Sequence, residues 1–151
     1  MGFSLIGLLI TGVILLPNLL VLLRPPKNAP EIVKSAGALM TVIERVGQAA
    51  CFLLPVFSKG YIETAYVNVW FILAALCIAV YYGLWLRYAL RRDFALLFAP
   101  LLRIPIPMAV FPVLAFAFIA IWLKSIWLGA AALALAVGHL ANSWAAYKST
   151  V

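Results

Sequence analysis

Acidic side chains are scarce in this chain: Glu31, Glu44, Glu63 and Asp93 are all it has among 151 residues, and His139 is its one histidine. The shortage excludes a good deal of site chemistry at once. A lone histidine cannot give a bis-histidine haem, and with two separated cysteines, Cys51 and Cys77, it makes a poor zinc site. No metal and no cofactor are expected. Both cysteines sit inside apolar runs, as small buried residues rather than a disulfide framework. The chain has no phosphate-cradling glycine-rich loop, no G-x-S-x-G elbow and no H-E-x-x-H pair. Redox-metal and nucleotide-hydrolysing enzymes drop out, and no motif marks the chain as an enzyme.

Polar surface is missing too, since charged residues make up only 10% of the chain against 68% hydrophobic ones. The mean hydropathy is +1.16. A water-soluble domain is about half apolar and a quarter charged, so this composition predicts an integral membrane protein. Residues 1–151 are expected to form a single transmembrane domain, because no polar stretch is long enough for a second.

Five apolar runs, at about 3–23, 35–57, 65–86, 105–123 and 126–147, each approach the ~20 residues that cross ~30 Å of hydrocarbon. The predicted fold is all-α, a bundle of five transmembrane helices. The first run has no Lys or Arg before it and is longer than a signal-peptide core, so it reads as a retained span. Alternate loops then collect the basic residues unequally. Arg24, Lys27, Lys34, Arg87, Arg91, Arg92, Arg103 and Lys148 fall on one side, with Lys59 and Lys124 on the other. Positive residues mark the cytoplasmic face, which predicts an outside N-terminus and a cytoplasmic C-terminus. The net charge of +7 is therefore a topology signal and not a nucleic-acid footprint. Tyr61, Tyr66, Trp70, Trp122 and Trp127 are expected to form an outer aromatic belt, and Trp85, Tyr88, Trp144 and Tyr147 an inner one. A multi-pass protein of the plasma membrane is the localisation that follows.

Between the third and fourth runs, "FALLFAPLL" is too short to cross and is expected to lie in the interface or tuck under the bundle. Glu31 is placed to open the second span, where a carboxylate suits a helix N-terminus. Proline at 17, 55 and 112 deprives the carbonyls of Val13, Cys51 and Met108 of their helical donors, so each needs another. Small residues at Ala130, Ala134, Gly138, Ala141 and Ala145 have the spacing for close helix approach. The fifth span is accordingly expected to be the central packing helix.

The second run alone carries full charges near its middle. At 100° per residue, Thr41, Glu44, Gln48 and Cys51 share one face of it, while Arg45 points about 100° away. The fifth run offers His139, Asn142 and Ser143 on one face. Glu44 lies ten residues from Lys34 and His139 nine from Lys148, each about 14 Å deep in a straight helix. Asn18, Asn142 and Tyr81 fall about one turn nearer the same side.

Intramembrane ionisable residues are costly to insert and so mark functional sites by default. The expected function is a polar chamber in the cytoplasmic half of the membrane that binds or transports a small polar or anionic ligand, or protons. Arg45 would neutralise an anion, Glu44 and His139 would carry or sense protons, and Asn18, Gln48 and Asn142 would orient the ligand, with Tyr81 completing the binding or relay set. Two alternatives stay open. One is a structural or assembly subunit whose polar network only fixes packing; the other is a membrane enzyme acting on lipid headgroups, with Glu44 and His139 as base and acid. The partners expected are the lipid bilayer, a second copy of the chain, and a small anionic or lipid-derived ligand.

Overall fold

A computed structural model describes residues 2–30 and 32–150. Among the described residues the regular structure is all helical, joined by irregular loops and without a strand. Glu31, the expected opener of the second span, lies outside the described residues.

Ser4 caps the first helix by accepting the Gly7 N–H at 3.1 Å. α1 (Leu5–Leu15) passes through a 3₁₀ turn at Leu16–Asn18 into α2 (Leu19–Leu23). Pro17 causes the break: it has no N–H for the Val13 carbonyl, and the Tyr82 hydroxyl donates to that carbonyl instead, at 2.6 Å.

α3 spans Ala38–Val56, three residues shorter at its start than the apolar run suggested. Gly37 stops it there, with φ at 113°, a backbone region that favours glycine. The preceding Ala36 N–H is held by the Asn142 side chain at 2.9 Å rather than by a helical carbonyl. A short α4 (Lys59–Glu63) follows.

α5 (Val69–Arg91) begins later and ends later than its apolar run. Asn68 caps it by accepting the N–H groups of Trp70 and Phe71, and Arg87 and Arg91 extend it beyond the apolar stretch. A 3₁₀ turn, Phe94–Leu97, is capped by Asp93 and tucks against the bundle with Phe94 buried. Arg87 holds this turn by donating to the Leu96 and Ala99 carbonyls at 3.4 and 3.3 Å.

α6 (Pro107–Trp122) and α7 (Ile126–Thr150) complete the chain. Four helical segments are long and apolar enough to cross a membrane: Leu5–Leu23, Ala38–Val56, Val69–Arg91 and Ile126–Ser149. They mark the chain as a multi-pass membrane protein. The fourth apolar run gives only the shorter α6, whose 16 residues rise about 24 Å.

α6 is also the most enclosed helix, with Ala115, Phe116 and Ile119 almost completely buried. The fifth span, α7, packs between α3 and α6 as its small residues suggested, and α6 is enclosed between α7 and α5. The small residues of α7 serve its contact with α3. A methyl group added to Gly138 would fall 2.4 Å from the Glu44 backbone nitrogen, and one added to Gly47 2.4 Å from that of Leu135. The two backbones touch at these glycines.

Burial divides the residues expected in the aromatic belts. Tyr61, Tyr66, Trp70, Trp127 and Trp144 are exposed, whereas Trp122, Trp85 and Tyr88 are buried. Each of these three was expected at a headgroup level. Trp122 gives its indole N–H to the Tyr66 carbonyl at 2.9 Å, and Tyr88 its hydroxyl to the Arg24 carbonyl at 2.8 Å. The polar ends of Trp122 and Tyr88 are thus satisfied inside the protein.

Candidate functional site

The glycine crossing of α3 and α7 sets the site. Gly138 seats the backbone of α7 against Glu44, so the next residue, His139, meets the Glu44 carboxylate with Nδ1 2.6 Å from Oε1. Asn142, one turn further on, reaches the other carboxylate oxygen, Oε2, at 2.5 Å.

The orientation of the Asn142 amide follows from its partners. Backbone N–H groups only donate, so the atom facing Ala36 N–H must be the side-chain oxygen, which turns the NH₂ group to Glu44. Glu44 thus accepts at Oε2 and shares one proton with His139 at Oε1. With Nδ1 engaged, the free ring nitrogen is Nε2, which makes no hydrogen bond among the described residues. Its state carries the outcome of any proton exchange through the pair.

His139 borders a cavity of about 370 Å³. At roughly 30 Å³ per water this is room for about a dozen waters or one small molecule. All the long helices contribute to its wall. Asn18, Gln48, Tyr81, His139 and Ser143 supply the polar groups, and Ile14, Phe52 and Phe116 are among the apolar ones. Tyr81 donates its hydroxyl to Asn18 Oδ1 at 2.7 Å. The Gln48 amide and the Ser143 hydroxyl make no hydrogen bond among the described residues. Trp85, 6% exposed, also lines the chamber, and its indole N–H approaches the Tyr81 hydroxyl without completing a hydrogen bond.

Glu44 itself faces a second space of about 280 Å³, lined also by Lys34, Thr41, Arg45 and Asn142. Phe98 and Ser143 border both spaces and stand between them. The Glu44–His139 pair runs alongside: its carboxylate borders the outer vestibule and its imidazole the inner chamber.

Of the seven residues singled out from the sequence, Asn18, Gln48, Tyr81 and His139 line the chamber, while Glu44 and Asn142 lie behind His139 in the vestibule wall. Arg45 is not among the chamber residues. It is exposed on α3 and makes no hydrogen bond or ion pair among the described residues. Sequence reasoning did not place Trp85 or Phe98 here. Trp85 had a signal, since it lies one turn from Tyr81 on the same face of α5; Phe98, in an irregular loop, had none.

Serine, histidine and glutamate in this order resemble a nucleophilic set, but Ser143 makes no hydrogen bond to His139. The arrangement suits proton exchange better than attack by an alkoxide. Among the described residues no three His, Cys, Asp or Glu side chains gather as metal ligands. Comparison with family models, with curated proteins and with solved structures finds no match to this chain.

Proposed function

We propose that this is a multi-pass membrane protein that binds or carries a small polar solute in the chamber, with Glu44 and His139 coupling occupancy to a proton. The observation that carries the reading is the convergence of unpaired polar groups on one cavity: the Gln48 amide, the Ser143 hydroxyl and His139 Nε2. Unpaired polar groups are costly away from water, so a surface that collects several around an open volume is suited to a hydrogen-bonding occupant. The chamber wall contains no Lys or Arg, so an anionic occupant would find its positive partner in a protonated His139. In this reading the basic ends of the helices face the cytoplasm of a plasma membrane, and α6 is a fifth, centrally enclosed span.

One observation favours a packing role for part of the network. Both Glu44 oxygens are satisfied, and Asn142 ties the segment before α3 to α7. That half fixes helix register, while the half facing the chamber is left free to bind. The test is native mass spectrometry of the purified protein for a retained small molecule. The proposal expects a retained mass that Gln48→Leu and His139→Leu each remove without loss of fold. If both folded variants retain it as the natural chain does, the chamber is not its site.

A further inference from the structure

A charge on a lipid-facing helix surface is the feature that the chamber leaves unexplained. Arg45 lies on the outward stripe of α3, where Val42, Val46 and Leu53 are 58%, 62% and 56% exposed. It is exposed itself and makes no hydrogen bond or ion pair among the described residues. Such a guanidinium is stable beside hydrocarbon only if its stem lies along the apolar surface and its head reaches the polar boundary. Arg45 is seven residues beyond Ala38, where α3 begins, so it sits about 10 Å from that end of the helix, well placed for this.

A second cation, without an ion pair among the described residues, lies at the same boundary. Lys34, exposed in the non-helical stretch before Gly37, borders the same vestibule as Arg45. Among the described residues the one acid there is Glu44, which has both oxygens taken by His139 and Asn142 and gives neither to the cations. Among the described residues, two unpaired cations facing a single engaged carboxylate leave the vestibule with an excess of positive charge near the end of α3.

We infer that Lys34 and Arg45 together hold the phosphate of an anionic phospholipid, in the leaflet on whose side α3 begins. The planar guanidinium matches two phosphate oxygens at once, and the lysine adds a point charge on a flexible stem. Basic pockets between helix ends at the membrane surface are suited to such headgroups. The acyl chains would lie along Val42, Val46 and Leu53, the stripe that otherwise meets bulk lipid. The site stands apart from the chamber and does not depend on what the chamber holds.

The test is native mass spectrometry of the full chain released from membranes containing equal amounts of phosphatidylglycerol and phosphatidylcholine. The natural chain is expected to retain phosphatidylglycerol preferentially, and millimolar inorganic phosphate is expected not to displace it. Each of Lys34→Gln and Arg45→Gln should lower that preference about fivefold, and Arg45→Lys should restore only part of it, since lysine keeps the charge and loses the two-oxygen match. Lys34 lies outside every helix, so Lys34→Gln reports on the site even if the Arg45 variant fails to fold. An unchanged lipid preference in folded Lys34→Gln, or displacement of the lipid by inorganic phosphate, would overturn the assignment.

Discussion

His139 Nδ1 lies 2.6 Å from Glu44 Oε1 because the residue before His139 is glycine. Any side chain at 138 would meet the α3 backbone, and the imidazole and carboxylate would be pushed apart. Helix crossing and candidate chemistry are therefore one structural event.

Gly138→Ala and Gly47→Ala should each destabilise the fold, at or beyond the upper end of the roughly 1–3 kcal/mol typical of overpacking, because the atoms they meet are backbone. Gly12 and Gly83, with nothing within 4 Å of an added methyl, are the controls. Alanine at either should change stability by less than about 1 kcal/mol. Thermal melts in one detergent compare the four; equal losses at all of them would refute the close crossing.

Tyr82→Phe should cost about 0.6–1.7 kcal/mol, the range of membrane hydrogen bonds, by leaving the Val13 carbonyl without a donor. In a Pro17→Ala background that cost should shrink, since an alanine at 17 restores the helical N–H. A double-mutant cycle by unfolding in detergent reads the coupling, and strict additivity would mean that Tyr82 does not serve the proline break.

Asn142→Leu should free the segment before α3 by removing the acceptor for the Ala36 N–H. Amide hydrogen exchange at Ala36 is expected to rise at least tenfold, with about 1–2 kcal/mol of stability lost. Unchanged protection at Ala36 would show that another group holds that amide.

Phe98→Ala should join the vestibule to the chamber, because Phe98 borders both. A cysteine introduced at Gln48, which borders the chamber and not the vestibule, would then react with a water-soluble thiol reagent several-fold faster than in the natural Phe98 background. Cys51 and Cys77 are buried and give a low background rate. The same labelling rate with and without the Phe98 ring would remove its role as a partition.

Much of this architecture was legible in the sequence, and the remainder was hidden for physical reasons. Residue spacing gives the face of a helix, so the turning of Arg45 away from Glu44 and the demand of the Val13 carbonyl for a donor were both readable. Burial was not. Lipid tails are as apolar as a protein core, so hydropathy does not separate Trp127, which faces outward, from Trp122, which is enclosed, or reveal that α6 is the most enclosed helix. Helix starts failed where a local hydrogen bond or glycine overrode composition, at Gly37 and Asn68. The partition at Phe98 depends on an irregular loop packed by Arg87, and no periodic pattern records it.

The chain has one histidine, so ¹⁵N-histidine labelling yields the resonances of a single imidazole, and these test the chamber most directly. The account predicts an Nδ1 that reports its bond to Glu44 and is altered by Glu44→Gln. It also predicts an Nε2 that exchanges protons with chamber water and shifts in the Gln48→Leu variant. An Nε2 resonance that neither exchanges with water nor responds to Gln48→Leu would contradict it, leaving His139 as one more satisfied contact between α3 and α7.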